Sequence, residues 1–183
     1  MIDGPAASPQ VNGKPLGGRK HRSSRMGRDH TFMDREFGRA AYDPDDEGTF
    51  ERGLVFVMMP FVAPDSAEVY SAIKEACARD GLRTARVDDS GGSGFIIREI
   101  TDLIERAEFI VCDLSHERPN VYYELGYAHG VGNEPDDILL VAKAGTKLHF
   151  DIAPLRVHFF DDLSGLHEVV TTQLARMIRV TRR

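Results

Sequence analysis

The chain is poor in the features that announce several common protein classes. It has two cysteines, Cys77 and Cys112, and no tryptophan in 183 residues. Two cysteines within apolar patterns supply no disulfide framework, and a metal site would need more ligands at closer spacing, so both read as small core hydrophobes. No run of about 18 apolar residues is present and no apolar leader opens the chain, so a cytoplasmic protein with no membrane contact is expected. Walker A, GxGxxG, GxSxG and HExxH patterns are all missing, which leaves serine hydrolase, zinc and common nucleotide-loop readings without support. No cofactor or metal is expected.

Charge is unevenly distributed. Residues 1–53 hold nine basic and nine acidic side chains, whereas residues 54–183 hold 14 and 20, so the whole net charge of -6 falls in the second part. An acidic domain is a poor match for a nucleic acid backbone, and nucleic acid is not an expected partner.

These two parts also differ in pattern. Residues 1–30 are rich in Gly, Pro, Ser and Arg without apolar periodicity, so they are expected to form a flexible tail, and the basic run GRKHRSSR within it reads as a solvated linker. Residues 31–53 hold scattered aromatics and complete an N-terminal extension. From residue 54 to 183, strand-like apolar runs alternate with helical periodicities. LVFVMM, LRTARV, FIVC, ILLVA and VHFF read as strands. Val69, Ile73, Ala76 and Cys77 give one helical stripe, which Asp65-Ser66 would cap and Gly81 would close. Ile96, Ile100, Leu103, Ile104 and Ala107 give a second, and Leu166, Val170, Leu174 and Ile178 the last. Such alternation predicts a doubly wound α/β fold: a five-stranded parallel sheet in the flavodoxin-like order 2-1-3-4-5, with its switch point between the first and third strands.

That topology directs attention to the stretch from Phe109 to Gly132, FIVCDLSHERPNVYYELGYAHGVG. A fully buried strand runs into a polar loop, and a helix capped by Asn120 follows. Glu124 stands near the start of that helix among aromatic, aliphatic and small residues, with no cation on the same helix to pair with. A dipole from the helix N-terminus would favour its charged form by roughly 0.3 to 1 kcal/mol. A solvent-facing glutamate is the commoner fate of such a residue; its place at the switch point beside Asp113, Asn120 and Tyr123 favours a functional one. The loop DDSGGSG brings Asp88, Gly92 and Gly94 towards the same crevice, with Arg98 one turn further on, and the helix start there suits an anion such as phosphate. A carboxylate at the mouth of a nucleotide-sized crevice has the chemistry to attack or stabilise an anomeric carbon. His116 and His129 form no defined acid-base pair and read as structural.

VFVMMPF, IIREITDLIERAEFIVCDLS, PNVYYELGYAHG, ILLVA and FDIAPLRVHFF together resemble the nucleoside 2-deoxyribosyltransferase-like superfamily, in its TIR-like bacterial branch. The resemblance covers about residues 54 to 160 and is most specific at D-L-x(5)-N-V-x-Y-E-L-G-x-A-H. It implies Glu124 as nucleophile, Asp113 as the loop aspartate that orients base or acid, Asn120 and Tyr123 lining the sugar pocket, and Pro60 and Phe61 walling the base. It further implies a nucleoside, nucleotide or NAD as ligand, a homo-oligomer, and either N-glycosidic cleavage or transfer, or nucleotide sensing without turnover. One departure is visible: HERPNVYY stands where the transferases carry a second aspartate and a Gly-Thr pair, so hydrolysis is favoured over transfer.

Overall fold

A computed structural model describes residues 50–60, 62–87 and 93–182. The expected N-terminal extension lies almost wholly outside these, as do Phe61, Asp88 and Gly92. The elements run β1 (Glu51–Met58), α1 (Ser66–Arg79), β2 (Arg83–Ala85), α2 (Ser93–Arg106), β3 (Ala107–Asp113), α3 (Pro119–Gly130), β4 (Ile138–Lys143), β5 (Val157–Phe160) and α4 (Leu163–Thr181). All neighbouring strands pair in parallel, in the order β2-β1-β3-β4-β5.

The sheet divides two apolar clusters. On one face Val55, Val57, Phe109, Val111, Leu139 and Val141 pack against the inner stripes of α1 and α4. On the other, Leu54, Phe56, Met58, Ile110, Cys112, Leu140 and Ala142 meet Ile100 and Ile104 of α2 and Val121, Leu125 and Ala128 of α3. Adjacent residues of β1, β3 and β4 serve opposite faces, which is why these strands read as unbroken apolar runs. Each helix returns the chain to the start of the next parallel strand, so every helix N-terminus in these crossovers lies at the sheet's C-terminal edge.

Helix ends follow local chemistry, with two departures from expectation. Gly81, at φ +68°, closes α1: its N–H donates to Ala78 and that of Leu82 to Cys77, a paired arrangement that glycine permits at no steric cost. Asp65 precedes α1 but its side chain does not cap it; the carboxylate is taken by His116, while the Ser66 hydroxyl accepts from the Ala63 N–H. Asn120 is not the cap of α3 either. Pro119 occupies the first helical position, where its missing N–H costs nothing, and Arg118 takes the cap place. Asn120 therefore sits inside the first turn and Glu124 in the second, further from the helix dipole than the sequence suggested.

The far rim is tied by Glu108, which is 3% exposed. Its carboxylate receives two guanidinium N–H groups of Arg182 at 2.8 Å and the N–H of Gly53. Gly53 has φ +82° where the β1–β3 register shifts, a bulge position suited to glycine. The C-terminal end of α4 is thus bonded to the start of β1 and β3.

Candidate active site

A cavity of about 480 Å³ opens between α2 and α3. Ile96, Ile97, Ile100 and Ile104 form one wall with Thr101; Pro119, Asn120, Tyr123, Glu124 and Tyr127 form the other. The α2 positions recur at three- and four-residue spacing, so one helix stripe both seals the core at Ile100 and Ile104 and lines the cavity. Pro119, Asn120, Tyr123, Glu124 and Tyr127 share a face of α3 in the same way. Tyr127 donates its hydroxyl to Glu105, which ties α3 to α2.

Glu124 is the acidic residue of this lining and is 5% exposed. Burial in apolar surroundings pushes its carboxyl up from 4.5 to about 7, against a hydrogen bond from the Asn120 side chain that favours the charged form. A carboxyl that titrates near neutrality inside a nucleotide-sized pocket can act as nucleophile when charged and as hydrogen-bond donor when neutral.

Three of the expected site residues, Asn120, Tyr123 and Glu124, are brought together. Tyr123 is exposed and stands at the cavity wall, where its ring offers a surface to a planar ligand. Pro60, Asp113 and Arg98 are not among the lining residues. Gly94 falls in the first turn of α2, and Phe61, Asp88 and Gly92 lie outside the described residues. The cavity lies between two helices on one face of the sheet and takes in Asn120, Tyr123 and Glu124 of the expected set.

Asp113 is buried at the end of β3 and serves the loop. Its carboxylate accepts from both the N–H (3.0 Å) and the hydroxyl (2.5 Å) of Ser115. Burial raises its pKa, opposed by those two bonds. The Ser115 hydroxyl in turn accepts from the Lys143 N–H at 2.9 Å, so this loop continues the β4 hydrogen-bonding edge. His116 Nε2 lies 2.8 Å from the Asp65 carboxylate, linking the β3–α3 loop to the start of α1. His129 is exposed late in α3, away from the lining.

Ile97, Thr101 and Tyr127 were not expected at the site. Ile97 breaks the core stripe, being 45% exposed, and that excess of apolar surface on α2 was the available signal. Cys77 and Cys112 are buried thiols whose pKa values burial raises, to about 12 for Cys77 and well upward for Cys112. Among the described residues no group of His, Cys, Asp and Glu is arranged to hold a metal ion, and no helix is long and apolar enough to cross a membrane.

The fold is similar to that of solved structures with distant sequences. One is the CMP N-glycosidase BcmB from Clostridium botulinum, with a TM-score of 0.52 and 11% identity over 63% of this chain and 95% of that one. Another is a flavo di-iron protein from Thermotoga maritima, with a TM-score of 0.52 and 14% identity over 71% of this chain. The match spans only 36% of the di-iron protein's length. No protein-family model matches the chain, and no curated protein matches it. At these identities the likeness establishes a shared flavodoxin-like α/β architecture.

Proposed function

We propose that this protein cleaves an N-glycosidic bond in a nucleoside, nucleotide or NAD, with Glu124 as the nucleophile. The observation that carries this reading is the burial of the Glu124 carboxylate in the wall of an otherwise largely apolar, ligand-sized cavity. The fold similarity to a CMP N-glycosidase is in keeping with it. In the charged form, a Glu124 oxygen forms a bond to the anomeric carbon as the carbon–nitrogen bond breaks; the electron pair leaves with the base, which takes up a proton from water in a nucleoside or nucleotide and departs neutral, as nicotinamide, from NAD. Water then attacks the glycosyl ester, returning the carboxylate and releasing the sugar. Asn120 holds Glu124 and favours its charged form, Tyr123 supports the sugar or base, and the isoleucines of α2 exclude competing water. Asp113 acts by ordering the β3–α3 loop through Ser115.

A second reading is favoured by one feature of the lining. Among the described residues Glu124 is its only carboxylate, so a neutral Glu124 beside Asn120 also suits recognition of a base without cleavage, as in a nucleotide sensor or TIR-like signalling module. Incubation with nucleosides, nucleotides and NAD, followed by chromatography, separates the two. Released base that depends on Glu124 supports the glycosidase; thermal stabilisation by an intact ligand with no release would replace it with the sensor.

A further inference from the structure

The cavity has a direction. α2 and α3 both start at the sheet's C-terminal edge, so Ile96, Pro119 and Asn120 mark one end of it and Ile104 and Tyr127 the other, with Glu124 between. From Ile96 to Ile104 the α2 wall is about 12 Å long by the rise of an α-helix, room for a sugar and a ring end to end. Asn120 is exposed at the first end, whereas Ile104 is fully buried at the second. Sugar hydroxyls suit the open, polar end beside Asn120, and a planar base suits the inner end among Ile100, Ile104 and Tyr127.

The hydroxyls of the inner part share one character. Tyr127 gives its proton to the Glu105 carboxylate, an acceptor. Thr101 gives its own to the carbonyl of Arg98, one turn back on α2. Each proton is committed to the protein, and each oxygen offers a ligand only acceptor lone pairs.

We propose that Tyr127, oriented by Glu105, selects the base: resting on the reading that this cavity cleaves an N-glycosidic bond, the preferred substrate carries an exocyclic NH2 on its base, as an amino or a carboxamide group, rather than a carbonyl or carboxylate oxygen there. The NH2 donates to the Tyr127 oxygen. An oxygen in its place sets acceptor against acceptor in surroundings that exclude water, and turning the Tyr127 hydroxyl to meet it breaks the bond to Glu105. Glu105 is not among the lining residues and acts through Tyr127 as a positioning residue.

Matched pairs that differ at this group test the selection: cytidine against uridine, adenosine against inosine, and NAD against its nicotinic acid analogue. For the parent protein, kcat/KM for base release is expected to be about tenfold or more higher for the NH2-bearing member of at least one pair. Tyr127→Phe keeps the ring and removes the oxygen, so that ratio is expected to fall to near one; a merely structural loss would slow both members alike and leave the ratio standing. Glu105→Gln, whose amide can donate to the phenol oxygen, frees the Tyr127 proton and is expected to lower or invert the ratio. Equal cleavage within every pair, or a preference that survives Tyr127→Phe, overturns the selection and leaves the glycosidase reading intact. Calorimetric titration of the same pairs covers the reverse case: tighter binding of the NH2-bearing member that depends on Tyr127, with no base released, supports the selection and overturns the glycosidase. Neither binding nor release with any pair overturns both.

Discussion

Asn120 and Glu124 stand one helical turn apart on the same face of α3 and line the same cavity, where the Asn120 side chain favours the charged form of the Glu124 carboxyl. Pro119 starts the helix and Arg118 takes the cap place, which leaves the Asn120 side chain with no capping duty and facing the cavity. Asn120 thus opposes the apolar cavity in setting the charge of Glu124.

Replacing Asn120 with alanine removes that opposition. The Glu124 pKa should rise further, and kcat/KM at pH 7 should fall roughly tenfold or more, as expected for losing a hydrogen bond to a charged group. Its rising limb with pH should shift to the alkaline side. A pH–rate profile of the variant superimposable on the parent's would count against the assigned role.

Glu124 also links stability to pH. Its carboxyl titrates at about 7 in the folded protein against 4.5 when unfolded, so the folded state holds its proton more tightly. The stability this brings is complete below pH 4.5 and is lost as pH rises through about 7, up to about 3 kcal/mol. Glu124→Gln should therefore melt progressively higher than the parent from pH 5 to pH 8. Calorimetry at the two pH values checks this, and a constant difference would contradict it. Activity runs the other way, because a charged nucleophile requires kcat/KM to rise through about pH 7.

Ile97 separates cavity chemistry from folding. It is 45% exposed, so Ile97→Asp leaves the core intact while placing a negative charge in the apolar wall. Substrate KM should rise about tenfold or more, in line with about 1.4 kcal/mol of lost apolar contact and added desolvation, with the melting temperature little changed. Isothermal titration with a nucleoside ligand gives the direct comparison; unaltered affinity would place the ligand elsewhere.

The Glu108–Arg182 pair should govern acid sensitivity. Burial alone would raise the Glu108 pKa, but Arg182 and the Gly53 N–H outweigh it and hold the carboxyl below its usual range. Its contribution is present above about pH 4.5 and is lost as pH falls through the depressed value. Glu108→Ala should destabilise the protein by roughly 2 to 4 kcal/mol at pH 7, with a difference that shrinks under acid conditions. Denaturant titrations at neutral and acid pH measure this; a difference that holds at low pH would assign the loss to packing.

Legibility from sequence tracked how local the determining forces are. β1, β3 and β4 were visible because burial on both faces leaves continuous apolar runs, and the short polar β2 was readable as an edge. Glu124 stood out as an acid in an apolar helix, and it is buried. The cavity itself was hidden, because Ile96, Ile100 and Ile104 look like a core stripe whether or not α3 stands off from part of it. Asp65 and His116 are 51 residues apart and meet only through the fold, so no local pattern could show that His116 would claim the apparent cap of α1. Asp113 and Glu124 were grouped by their nearness in sequence. A strand end and a second helical turn instead point them to different neighbours: Ser115 for one, the cavity for the other.

The most direct measurement is covalent trapping. In a 2′-fluoro nucleoside the fluorine slows both formation and breakdown of the glycosyl ester while a good leaving base restores its formation, so incubation followed by intact-protein and peptide mass spectrometry should find the sugar on the peptide carrying Glu124. Base release from the ordinary nucleoside should fall about a thousandfold or more in Glu124→Gln with the fold retained. Base release by Glu124→Gln at the parent rate, or a sugar adduct on another residue, would contradict Glu124 as the nucleophile.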